Sequence, residues 1–175
     1  MGVARNLFLL FKEVSQSDAK IVGYIGDDAF ELARARANCA EYNDLFVLFG
    51  KEDSLQNTLK FGEKFLGKQG KTFTVLPWTH FSPSAPERAF DELLMEYRGS
   101  VDLTQYKDLI HEGGSIKIFI SDATKEYDVW GCELTESRIE SLIGQKATQI
   151  MRQETENPGV WYEFTIKHQP KALEA

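Results

Sequence analysis

A few short stretches of this 175-residue chain carry side chains able to bind a ligand or move a proton. His80 lies just past an apolar run, between Trp78 and Phe81. A base titrating near neutrality and flanked by rings could transfer a proton or stack on a flat ligand. It could equally be a histidine hydrogen-bonded into the packing of a proline-rich loop. Asp27 and Asp28 follow Gly26 at a predicted helix start. There they could hold Mg²⁺ or a ribose hydroxyl, although carboxylates also simply complement the positive end of a helix. Lys51 stands between a predicted strand and a helix, where it could meet an anion. Glu52 and Asp53 beside it cancel that field. Trp78 could line a ligand groove, and Asp122 sits on a predicted turn.

No established motif supports these candidates. Gly23-x-x-Gly26 lacks the third glycine of a dinucleotide fingerprint, and the residues before Lys51 lack the glycines of a phosphate loop. There is no Gly-x-Ser-x-Gly elbow for a nucleophile. No two histidines share a metal-ligand spacing, so a zinc site is not expected. Asp122, Lys125 and Glu133 miss the spacing of a metal-dependent nuclease. Cys39 and Cys132 have no Cys-x-x-Cys partner and are read as buried reduced thiols. The expectation is no cofactor and no bound metal, with Mg²⁺ entering only if Asp27 and Asp28 form an enzyme site.

The elements that would position these groups follow from periodicity. Ile21–Ile25, Leu45–Phe49 and Thr72–Trp78 are short and apolar on both faces, as strands buried between helix layers are. Helical patterns from Asp27 to about Tyr42 and from Ser54 to about Gly67 separate them. Strand–helix–strand alternation implies parallel pairing, giving a parallel unit over residues 20–78. Its loops gather beyond the carboxyl ends of the strands, where ligands of open α/β sheets bind. Asn6–Val14 reads as a strand forming a hairpin with residues 20–25. Capping boxes Ser84-x-x-Glu87 and Asp102-x-x-Gln105 predict helices closing at Gly99 and at Gly113-Gly114. Residues 115–121 and 126–134 read as a hairpin, 135–151 as a helix and 160–167 as a last strand. The expected fold is α/β or α+β: one domain over residues 1–168, a mixed sheet of six or seven strands, and a C-terminal hairpin–helix–strand. Residues 169–175 read as a disordered tail.

Bulk properties narrow the classes. A formal charge of −7 argues against binding a nucleic-acid backbone. Leu7–Phe11 is too short for a signal peptide, and no run of about 18 apolar residues exists to span a membrane. The chain is therefore expected in the cytoplasm. With no motif for catalysis, the leading expectation is a non-catalytic binding or regulatory protein acting through protein contacts, including contacts between copies. The alternative is a small α/β enzyme or binding domain for a nucleotide-like or phosphorylated molecule, using the strand-end loops. A weaker alternative is an acidic mimic of nucleic acid.

Overall fold

The three apolar runs of the N-terminal half lie side by side and point the same way. The computed structural model describes residues 20–39, 44–79, 82–83, 88–97 and 101–168. β1 (Ile21–Ile25), β2 (Leu45–Lys51) and β3 (Phe73–Thr79) pair in parallel, with Tyr24 opposite Leu48 and Leu48 opposite Val75. Between them run α1 (Asp27–Ala37) and α2 (Leu55–Phe65), with Glu52–Ser54 forming a 3₁₀ turn before α2. β4 (Ser82–Pro83) adds a two-residue antiparallel edge to β3. β5 (Phe90–Glu96) and β6 (Ile110–Ser121) continue the parallel set on the far side of β1. The chain then forms α3 (Glu136–Ile143), β7 (Gln149–Gln153) and β8 (Gly159–Thr165). The sheet order is β4-β3-β2-β1-β5-β6-β8-β7, so strand order reverses at the β1/β5 boundary.

Two cores explain the layers. On one face Ala29, Ala33 and Ala37 of α1, and Leu66 after α2, bury against Val22, Tyr24, Phe46, Leu48 and Leu94. A stripe of alanines lets α1 lie close to the strands. Gly62 does the same for α2, since a Cβ there would collide with the Phe73 ring. The other face is covered without long helices. Val101, Leu103 and Tyr106 are buried against it, and α3 adds Ile139 and Ile143.

Several expectations need correction. The strand predicted over residues 6–14 lies outside the described residues, but β1 has β2 and β5 on its two sides and so has no edge for a hairpin partner. The helix predicted from Ser84 is contradicted over 90–96, which form β5. That strand is buried on both faces, so it carries no period of two, and its apolar residues mimic a helical stripe. Asp102 caps only a 3₁₀ turn, Leu103–Gln105, accepting from the Thr104 N–H at 3.0 Å. Gln105 bonds the Asp102 carboxylate instead of prolonging a helix, and β6 begins at Ile110. Residues 126–134 do not return beside β6, which pairs with β5 and β8 instead. They form a turn closed by a single Tyr127–Glu133 bridge. Thr135 caps α3 as expected, but Gly144, at φ 86°, ends it early and the remainder becomes β7. Cys39 and Cys132 are both exposed rather than buried. The predicted tail lies outside the described residues. Among the described residues, no helix is long and apolar enough to cross a membrane.

A buried charge cluster ties α1 to the sheet centre. Glu92 of β5, 7% exposed, is bridged by Arg36 at 3.1 Å and by Lys117 of β6 at 2.9 Å. Arg36 also reaches Asp44 at 3.6 Å. Burial would raise the Glu92 pKa, but the two cations outweigh it and hold the carboxyl below its usual range. Asp128, 2% exposed, behaves alike: burial opposes ionisation, and the Cys132 and Trp130 N–H groups with Arg138 more than compensate. Asp44 is shifted upward by burial and the nearby Glu92 charge, and it partly offsets the pair. A carboxyl depressed by folding contributes stability above its unfolded pKa and loses it as pH falls through the folded value. The protein is accordingly expected to lose stability on acidification. Glu92→Gln should cost roughly 3 kcal/mol in denaturant unfolding near neutrality and make that acid loss shallower.

Candidate functional site

The reversal of strand order between β1 and β5 opens a crevice beyond their carboxyl ends, the place where open α/β sheets take ligands. Gly26 makes the turn from β1 into α1 at φ 92°, ψ 165°, a conformation only glycine adopts comfortably. No side chain would fit there in any case, since a Cβ at Gly26 would stand 2.7 Å from the Cβ of Glu96. Glu96, the last residue of β5, is 3% exposed and turns its carboxylate onto the start of α1, accepting the Asp28 N–H at 2.8 Å. The helix N-terminus thus receives its anion from the protein itself.

Beside this turn lies a cavity of about 370 Å³. Gly26, Asp27 and Glu96 form one wall, and Gly50 and Lys51 at the end of β2 form another. Gly50 is required there because a Cβ would collide with the Thr58 hydroxyl. Asn57 and Thr58 of α2 add an amide and a hydroxyl. Phe30 and Phe61, with ring centroids 5.3 Å apart, give the apolar side, and Trp78 at the end of β3 completes the rim.

Of the residues singled out in the sequence, the structure brings Asp27, Lys51 and Trp78 to this one cavity. It sends Asp28 elsewhere. The Asp28 carboxylate accepts from Asn157 at 2.6 Å and from Gln153 at 3.4 Å, tying α1 to the β7–β8 turn. Gln153 in turn accepts from the Trp161 indole at 2.8 Å. Asp122 is also committed elsewhere, in an ion pair with Arg152, and does not line the cavity. His80 lies outside the described residues. Among the described residues, no group of three or more His, Cys, Asp or Glu side chains is placed to hold a metal. Sequence reasoning missed Glu96, Phe30 and Phe61. Glu96 was hidden in a stretch read as helix, and its one signal is a carboxylate closing an otherwise apolar run. Phe30 and Phe61 read as core, yet each is only half-buried.

No protein-family model matches the sequence, and no curated protein matches it. Solved structures do superpose on the chain. The 30S ribosomal A1408 methyltransferase from an uncultured bacterium matches with a TM-score of 0.60 and 11% identity, over 92% of this chain and 94% of that one. The antibiotic-resistance methyltransferase Kmr gives 0.60 and 8%, over 96% of each chain. A SAM-dependent methyltransferase from Aquifex aeolicus gives 0.58 and 14%, over 90% and 89%. These likenesses correct two expectations, that of a non-catalytic protein working through protein contacts and that of a chain without a cofactor. The alternative expectation, a small α/β enzyme or binding domain for a nucleotide-like or phosphorylated molecule at the strand-end loops, fits better, and the chain shares the Rossmann-like fold of these methyltransferases.

Proposed function

We propose that this protein is an S-adenosylmethionine-dependent methyltransferase acting in the cytoplasm, with its cofactor in the Gly26–Glu96 crevice. The observation that carries the proposal is the chemistry of the cavity at the switch point. Carboxylates of Asp27 and Glu96, the amide of Asn57 and the rings of Phe30, Phe61 and Trp78 converge there. That donor set suits an adenosyl cation and suits a phosphate poorly. The site has no glycine-rich phosphate cradle, and Glu96 already occupies the Asp28 N–H that a phosphate would seek. A sulfonium nucleoside also needs no metal between Asp27 and Asp28.

When bound, the cofactor supplies an electrophilic methyl group on a positively charged sulfur. The chain's own residues do the rest. Asp27 offers a carboxylate to sugar hydroxyls or to an ammonium group. Phe30 and Phe61 provide an apolar surface for a base and keep water from it. Asp27 and Glu96 make the local potential negative, which favours a cation over a neutral demethylated product. Charge separation of that kind discriminates reactant from product without any group having to move. A formal charge of −7 makes a small or weakly charged methyl acceptor a better fit than a nucleic acid.

Thermal-shift measurements test this directly. S-adenosylmethionine should raise the melting temperature and ATP with Mg²⁺ should not, because only a ligand of the folded form stabilises it. No shift with S-adenosylmethionine or its demethylated product would overturn the reading. Asp27→Ala should weaken cofactor binding by about tenfold, the cost of one charge-assisted hydrogen bond. Asp28→Ala should lower the melting temperature while leaving the affinity of the folded protein nearly unchanged, since its carboxylate serves the β7–β8 turn.

A further inference from the structure

The sheet is covered unevenly. On one face α1 and α2 pack against β3, β2, β1 and β5. Beyond α1 that face continues across β6, β8 and β7, and among the described residues no further helix covers it, since α3 lies on the opposite side. An apolar cavity of about 450 Å³ lies there, between Leu32 and Ala35 of α1 and the strand residues Leu94, Met151 and Trp161. Met151 at its outer lip is 47% exposed. Protein interiors leave few voids larger than a water molecule, so apolar surface on this scale calls for an occupant.

The chain holds a matching segment that has no place in the sheet. Leu7-Phe8-Leu9-Leu10-Phe11 puts five bulky apolar residues in a row, which is costly to leave in water. Its expected hairpin partner, β1, is already paired on both sides. Of the residues outside the described ranges, only 1–19 contain such a run, whereas the stretch after His168 has one bulky apolar residue, Leu173.

Reach and charge agree with this occupant. α1 runs back from the carboxyl edge of the sheet to the amino edge, and Arg36 and Cys39 at its end line the cavity. The cavity therefore extends toward the edge where the chain enters β1, at Lys20. From β1 to β8 is three strand spacings, about 14 Å. Residues 12–19 can span roughly 26 Å. Arg36 and Lys117 in the cavity wall both bridge Glu92. Glu163, in the same wall, makes no ion pair among the described residues, and Lys12 directly follows the apolar run.

We infer that residues 7–11 of the same chain fill this cavity, against Leu94, Trp161 and Met151, with Lys12 at the Glu163 carboxylate. Filled in this way, the α1 face is covered from β5 to β7. α1 is then held on both flanks, by α2 on one side and by the N-terminal segment on the other.

The test uses the full chain in a Cys132→Ser background, which leaves Cys39 at the cavity as the single thiol. Cys39 should react slowly with a maleimide, and the apolar dye ANS should bind weakly. Phe8→Asp together with Leu9→Asp should speed the alkylation about tenfold, raise dye fluorescence severalfold and lower the melting temperature by about 5–10 °C. Met151→Asp should speed alkylation and raise dye binding from the cavity side, with circular dichroism unchanged because that side chain is exposed. Combining all three substitutions should add little further, because groups in contact do not act additively. A second copy in the cavity would instead make Cys39 protection rise with protein concentration. A cavity left for a separate partner would show fast alkylation and strong dye binding in the unaltered segment. Either of those results, or full additivity of the two sets of substitutions, would overturn the inference. No readout depends on the cofactor, so these outcomes are separate from those of the methyltransferase proposal.

Discussion

The contact between Glu96 and the first turn of α1 fixes the geometry of the carboxyl edge. β1 and β5 are adjacent parallel strands, and the chain leaving β1 must pass over the end of β5 with almost no clearance. Gly26 provides the clearance, and the Glu96 carboxylate fills the helix end by accepting the Asp28 N–H. One buried acid thereby sets where α1 begins, and it leaves Asp27 facing the cavity while Asp28 turns away. Around this contact the sheet divides into two directions of winding, with α1 and α2 on one face and residues 101–109 with α3 on the other.

The parallel unit from β1 to β3 was legible because its signals agree at every level. Apolar runs of strand length alternate with amphipathic stretches, and the small residues Ala33 and Ala37 at helical spacing already suggest a helix pressed against a sheet. The middle was not legible, for an energetic reason. β5 is buried on both sides, so Phe90, Leu93 and Leu94 are interior whatever the phase, and helical spacing among them is accidental. Its charged residues deepen the ambiguity: Glu92 and Glu96 look like a solvated helix face, yet one is neutralised by Arg36 and Lys117 and the other caps α1. Paired buried charge reads in a sequence just as surface charge does.

Two of the capping signals proved true and short. Asp102 and Thr135 both cap, but the first closes one 3₁₀ turn and the second a helix stopped by Gly144. A cap marks where a helix starts and says nothing about how far tertiary contacts let it run. The candidate site was half visible for a related reason. Asp27, Lys51 and Trp78 sit at strand ends that topology alone brings together, whereas Glu96 belongs to a strand the periodicity concealed. Asp28 is indistinguishable from Asp27 in the sequence, and only the β7–β8 turn, folded from residues far downstream, separates their roles.

The placement of β1 has a kinetic corollary. Each of its neighbours is remote along the chain: Val22 lies opposite Phe46 on one side and Glu92 on the other. The centre of the sheet must therefore be closed by long loops, whose entropic cost comes before any reward, and assembly of such topologies is slow. Among the described residues the β7–β8 ribbon is the one substantial pairing that can form locally. It would zip early and wait for its neighbours, carrying Asn157 into position to receive α1 only when the distant strands arrive.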